Sequence, residues 1–426
     1  MSYKAIALFS SAGIGELGLK RNGTNILVSN EIDKLRSKIH AENFKDTFHI
    51  VGDIWQKKND IIYNTKKLLK GDSLQIIYAT PPCQGMSSAG AGKIMKEVKK
   101  GNRPKLDPRN RLIIPALDII LELLPEWVIL ENVANMVHTV IENEDGKMVN
   151  VVDYINYRLS SHYSGKATVI NCQDFDIPQN RKRLITIYSK TKRGKKYFEQ
   201  HNEFFGSSDK LSDDNPLSVN TVFKGLPKLE AIRGKNERYD IHPYYGVPIL
   251  KKERLWWVAN TKKGQSAFSN QCVNPDCLFQ GNPVHGSAYV NGVHTSNKNT
   301  PIYCVRCGHL LPRPSIYDSK TKKFRIIKGY DTTYARMDGD KPSPTLTQNF
   351  QYDSSGRHYH PTENRVLSIY EGMILQTISD YNFTYIVDGK LLRRTVMAEI
   401  IGESVPPKLI DLIQKKIISI DAGVHC

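Results

Sequence analysis

Six short apolar runs of β type punctuate the chain: Ala5–Phe9, Ile26–Ser29, Gln75–Ala79, Trp127–Leu130, Ala167–Asn171 and Leu184–Tyr188. Helix-like stretches lie between several of them. Apolar strands that alternate with helices bury both faces of a sheet, so the pattern predicts a doubly wound α/β fold with parallel strands. Helices are expected over Leu112–Leu124, where only a first turn tolerates Pro115, and over Val151–Ser160. In such a sheet the C-terminal ends of the strands line the ligand crevice. The residues at those ends therefore carry the functional reading.

The first run enters Ser10-Ser11-Ala12-Gly13-Ile14-Gly15-Glu16-Leu17-Gly18. Glycines here let the backbone approach a ligand. The stretch is not a clean G-x-G-x-x-G, and alone it reads equally well as a tight turn. Glu31 follows the second run, where a carboxylate can accept from ribose hydroxyls. Gly52-Asp53 follows a further short apolar step. Together these predict an adenosine-type cofactor.

The run Gln75–Ala79 leads into Pro81-Pro82-Cys83-Gln84-Gly85. A single cysteine is more commonly a small buried hydrophobe. At a strand end, between prolines and a glycine, it is instead placed as an accessible nucleophile. The next strand ends in Glu131-Asn132-Val133, and parallel neighbours would bring Glu131 close to Cys83. Gln179, Arg181 and Arg183 alternate before the last run, which in a strand puts all three on one face. Most such runs are solvated basic edges; this alignment points to anion or base recognition.

The chain has 60 Lys+Arg against 43 Asp+Glu, a net charge of +17. That excess favours a polyanion partner without excluding RNA or an anionic membrane surface. No apolar stretch reaches the ~18 residues of a membrane span. MSYKAIALFSS reads as a first strand, and seven unevenly spread cysteines fit a reducing cytoplasm better than a disulfide framework. The texture turns polar at FFGSSDKLSDDNP. The expected divisions of the chain are residues 1–205, 206–350 and 351–426. Within the middle region, Cys272-x4-Cys277 and Cys304-x2-Cys307 form two short-spaced pairs. They predict a four-cysteine structural zinc site, against the alternative of ordinary reduced thiols; His285, His294 and His309 are spare ligands nearby.

These motifs, in this order, resemble the DNA (cytosine-5)-methyltransferases of bacterial restriction–modification systems. The matching stretches are LFSSAGIGELG (8–18), NEID (30–33), GDI (52–54), PPCQ (81–84), DPRNRL (107–112), ENV (131–133), IPQNRKR (177–183), RVLSIYE (365–371) and GESVPP (402–407). The resemblance implies an S-adenosylmethionine-dependent fold of the Rossmann type, with residues 1–205 for catalysis and cofactor, 206–350 for target recognition and 351–426 as hinge and returning helix. It implies that Cys83 adds to cytosine C6, that Glu131 holds N3, and that Arg183 holds O2 with Arg181 and Gln179 in support. For the cofactor it implies Phe9, Gly13, Ile14, Glu31, Ile32, Asp53, Ile54, Pro81, Glu403 and Ser404, with Glu31 on the ribose and Asp53 on the adenine amino group. The target base must be flipped from duplex DNA. The basic stretch Met86–Pro108 is expected to close as a lid on phosphates. A monomer is expected, with any cognate restriction endonuclease acting separately. Three positions depart from the usual pattern: Ser11 and Glu403, where the family carries Gly and Asn, and Ile374 in place of Arg.

Two other classes compete. A tRNA methyltransferase of the same family would have a compact recognition region, unlike the long stretch between Arg183 and Arg365. A non-enzymatic DNA-binding relative would not need to keep Cys83, Glu131 and Arg183 together.

Overall fold

The computed structural model describes residues 2–82, 107–212, 215–284, 287–290, 293–296, 300–327, 329 and 332–424. Cys83, the stretch from Met86 to Leu106, His285 and the side chain of His294 lie outside the described residues. Seven strands form one sheet: β1 (Lys4–Leu8), β2 (Asn25–Glu31), β3 (Phe48–Val51), β4 (Ile76–Ala79), β5 (Trp127–Val133), β6 (Ser164–Asn171) and β7 (Lys182–Ser189). Their order is β3-β2-β1-β4-β5-β7-β6. The first five pair in parallel. β7 runs antiparallel to both β5 and β6, a correction to the all-parallel expectation. The connection explains it. Only residues 172–181 join β6 to β7, and a parallel crossover needs a dozen or more, usually with a helix.

Residues alternate along β1 between two cores. Ile6 and Leu8 join Val28, Ile77 and Val128 on one face, covered by α3 (Ile54–Leu69), α4 (Ile113–Leu123) and α5 (Val151–Leu159). Ala5 and Ala7 join Ile76, Tyr78 and Ile129 on the other. There the cover comes from α1 (Glu16–Arg21) and from far along the chain: α8 (Ile369–Leu375), α9 (Arg394–Glu403) and α10 (Pro407–Ala422). The alanines of β1 leave room for this second layer. Between them in sequence lie α2 (Lys34–Asn43), α6 (Lys192–Gln200) and α7 (Lys252–Ala259). At Gly18 on α1 a Cβ would fall 2.4 Å from the Pro407 carbonyl oxygen and 2.5 Å from the Asp411 nitrogen. Only glycine lets α1 and α10 approach this closely.

Residues 206–350 contain mostly turns and short elements. A separate buried cluster of Ala231, Trp257, Val258, Phe268, Tyr334, Tyr359 and Val366 holds part of this region together. Before α8, the fully buried side chains of Arg365 and Glu371 form a two-pronged ion pair at 2.7 and 2.8 Å. Ser368 and Glu371 cap the helix reciprocally. No helix among the described residues is long and apolar enough to cross a membrane.

Candidate active site

The turn after β1 takes three left-handed residues, Phe9 (φ 59°), Ser11 (φ 47°) and Gly13 (φ 84°). A serine at Ser11 tolerates what a glycine would take freely. Its main-chain N–H donates to Glu31 Oε2 at 2.8 Å, and the Asp33 N–H donates to Oε1 at 2.8 Å. The Glu31 carboxylate is thus fixed at the end of β2 with acceptor capacity left over, which suits a ribose diol. Ile32 beside it is 67% exposed, an apolar surface open to a ring. Asp53 caps α3, accepting from the Trp55 N–H at 3.0 Å through one oxygen. Ile14 and Ile54 are core residues, each 2% exposed. Gly13 serves packing as well as approach: a Cβ there would fall 2.6 Å from Phe44 and 2.8 Å from His40. Beneath the turn Glu16 is buried, and burial pushes its carboxyl up to about 8.

The neighbouring edge is formed by β4 and β5. Thr80 Oγ1 donates to the Phe9 carbonyl at 3.0 Å, joining this edge to the turn. Asn132 Nδ2 donates to the Pro81 carbonyl at 3.0 Å, which pins the chain two residues before Cys83 against the end of β5. Glu131 lies in that same strand end, buried, with Arg183 Nε 2.9 Å from its Oε1. Burial raises the Glu131 pKa, and the charges of Arg183 and Arg181 only partly oppose this. The result is a carboxyl group with an elevated proton affinity at the rim of the sheet.

The structure separates Gln179 and Arg181 from Arg183. The Arg181 N–H bonds back to the Gln179 carbonyl at 2.9 Å, a tight turn that interrupts the strand before β7 begins. Gln179 and Arg181 bond to segments far along the chain, whereas Arg183 pairs with Glu131. Gln179 Nε2 donates to Gln376 Oε1 at 2.7 Å, and its Oε1 accepts from the Leu346 N–H at 3.0 Å. Arg181 donates to the carbonyls of Leu346, Gly402 and Ser404 at 3.3, 3.2 and 2.7 Å. Its positive charge sits at the C-terminal end of α9, where a cation is favoured. Both side chains are fully buried and act as fasteners for the C-terminal segment.

Glu403 and Ser404 sit in the same network. Ser404 accepts from Gln376 Nε2 through its carbonyl at 2.6 Å and its hydroxyl at 3.1 Å. Glu403 pairs with Arg36 of α2 and accepts from Gln348. Arg36 also reaches Glu399 at 3.0 Å. Sequence reasoning missed Arg36, Gln348 and Gln376. A charge in place of the usual Asn at Glu403 was the one available signal that a cation waits nearby.

A model of the C-5 cytosine-specific DNA methylase family matches residues 3–419. The chain belongs to this family. The type II methyltransferase M1.HgaI of Avibacterium volantium is 27% identical over 422 residues, covering 97% of each chain. M.DdeI of Desulfomicrobium norvegicum, also a type II methyltransferase, is 24% identical over 425 residues, covering 97% of this chain and 88% of its own. Two solved structures share the fold. One is an E. coli prophage protein described as a DNA modification methyltransferase, with a TM-score of 0.54 at 20% identity over 99% of this chain and 100% of that one. The other is a variant of Spodoptera frugiperda DNMT2, with a TM-score of 0.55 at 13% identity over 98% and 100%. The protein is thus an S-adenosylmethionine-dependent C-5 cytosine DNA methylase with an α/β Rossmann-like fold, and DNA is its substrate.

The methylase also gathers Cys272, Cys277, Cys304 and Cys307, with all four sulfurs within 4.8 Å of one another. Cys272 and Cys307 sulfurs are 3.7 Å apart, and those of Cys277 and Cys304 3.9 Å. The residue after each second cysteine is left-handed, Leu278 at φ 46° and Gly308 at φ 73°. The two turns are therefore built alike. The Cys304 N–H donates to the His309 carbonyl at 2.8 Å, and the Gly308 N–H to the Cys304 carbonyl at 2.8 Å.

Proposed function

We propose that the methylase acts through a covalent Cys83 adduct on a cytosine flipped out of a specific duplex sequence. The observation that carries this reading is the edge where Pro81 is pinned to Asn132 beside the buried Glu131–Arg183 pair. Glu131, with its raised pKa, holds a proton at cytosine N3 as the Cys83 thiolate adds to C6. Arg183 orients Glu131 and would hold O2. Electron density then reaches C5. S-adenosylmethionine supplies an electrophilic methyl group on a sulfonium sulfur. Once C5 is methylated, loss of its proton and expulsion of the thiolate restore the ring. Glu31 would hold the ribose and Asp53 the adenine amino group, with Phe9 and Ile32 as apolar walls and Pro81 at the edge. Gln179 and Arg181 position the rim, and Glu403 and Ser404 close it through their own partners. Residues 1–205 and 351–426 would form the catalytic body, and 206–350 the recognition region. Radiolabelled methyl transfer to duplex DNA, compared with tRNA, tests the reading. Label in tRNA alone would overturn it.

We propose further that the four cysteines hold a structural zinc. A tetrahedral site with Zn–S near 2.3 Å sets its sulfurs about 3.8 Å apart, matching the 3.7 and 3.9 Å seen here. A disulfide would need about 2.05 Å. The metal would stiffen a turn-rich region with little core of its own. A monomer in the cytoplasm, with any cognate endonuclease acting as a separate protein, completes the proposal. Light scattering of the purified protein tests the monomer.

A further inference from the structure

Next to the cysteine centre stands an antiparallel hairpin, Ser315–Asp318 paired with Lys323–Ile326. Its base is held rigidly. Fully buried Arg313 donates to the carbonyls of Asn270, Pro283 and Pro301 at 2.8, 2.8 and 2.6 Å. These segments flank Cys272 and Cys304. The Phe324 N–H donates to Tyr303 Oη at 3.2 Å, and the Phe324 ring packs edge-on against Tyr317 at 5.3 Å. Strand alternation puts Ile316, Lys323 and Arg325 on the opposite face, all exposed.

The tip is basic. Lys320, Lys322, Lys323 and Arg325 stand against a single acid, Asp318. One Asp318 oxygen accepts from the Lys320 N–H at 2.9 Å, and Arg325 Nε approaches the other only to 3.9 Å. Among the described residues no carboxylate pairs with Lys320, Lys322 or Lys323. An exposed cationic hairpin on a buried base suits the major groove, which admits a two-stranded β-ribbon.

We propose that the 315–326 hairpin is a DNA-contacting ribbon, its basic tip on phosphates and its Ile316 face toward the groove. The proposal rests on the methylase reading, because duplex DNA is the occupant. It adds a binding surface outside the flipped-base pocket. The test combines Lys320→Gln, Lys322→Gln, Lys323→Gln and Arg325→Gln. Affinity for duplex DNA should fall at least tenfold at moderate salt. The slope of log K against log salt should flatten by about 0.9 for each phosphate the ribbon no longer neutralises. Cofactor affinity should not change. Lys322→Glu alone, at the exposed tip, should give a smaller loss in the same direction and is safe for folding. Lys66→Gln with Lys67→Gln, on the exposed side of α3, should leave the slope as it was. Unchanged affinity and slope in both hairpin variants would overturn the proposal. So would an equal loss in the α3 control, which would mean diffuse charge alone. A parent protein that transfers no methyl to duplex DNA would instead remove the reading beneath it.

Discussion

Replacing Glu371 with glutamine removes one charge from a fully buried pair. Burial alone would raise the Glu371 pKa. The Arg365 charge and hydrogen bonds, with His360 and the Ser368 N–H, outweigh burial and take it from 4.5 to about 2. At 1.36 kcal/mol per pKa unit, that difference contributes about 3 kcal/mol. The figure agrees with the ~3–5 kcal/mol typical of breaking one side of a buried pair. The folded pKa is the lower one, so the stabilisation is complete above about 4.5 and is lost as pH falls through about 2. Roughly 2 kcal/mol should be gone by pH 3. Urea unfolding of parent and E371Q should therefore differ by about 3 kcal/mol at pH 7 and by about 1 kcal/mol at pH 3. Replacing both partners, R365M with E371L, should recover much of the loss, because no charge is then stranded. Glu363, which also accepts from Arg365 at 2.7 Å, is partly exposed and can rehydrate. A single variant as stable as the parent at pH 7, or a gap unchanged at pH 3, would refute the reasoning.

Cys83→Ser should abolish methylation while DNA binding persists, and a fluorinated cytosine should trap an adduct on Cys83 that peptide mass spectrometry detects. Glu31→Ala should weaken cofactor binding by about 1–3 kcal/mol in calorimetry, since it frees two backbone N–H groups and the ribose diol together. Elemental analysis should find about one zinc per chain, and Cys304→Ser should lose it with recognition but keep cofactor affinity. Arg181→Met strands the carbonyls of Leu346, Gly402 and Ser404 and should cost several kcal/mol in unfolding experiments; an unaltered midpoint would remove its role as a fastener.

Much of this architecture was legible because strands and turns are local. The apolar runs of β1, β2, β4, β5, β6 and β7 carry their own signal, and the residues at their ends mark the rim. The direction of β7 was not legible from its composition, which suits either orientation. It was set by a short link. The partners of Gln179 and Arg181 were hidden for a similar reason. Their partners are Leu346, Gln376, Gly402 and Ser404, far along the chain. No local pattern announces such pairings. The Arg365–Glu371 pair stood in plain view as RVLSIYE, yet its burial could only come from the helices that close over it. The cysteine pairs were the easier case, since short spacing already demands a common point.

The close approach at Gly18 sets an order in time. α1 leaves the ribosome long before α10, because 385 residues separate Arg21 from Pro407. Until residues 407–422 arrive, the surface of α1 beside Gly18 has no cover, and one face of β1 and β4 is covered only in part. Synthesis at roughly 5–20 residues per second spans this gap in about 20–80 s. During that interval the turn after β1 is complete in sequence but not in structure. A nascent methylase would therefore complete its second core layer, and with it a settled rim, only when residues 407–422 are made.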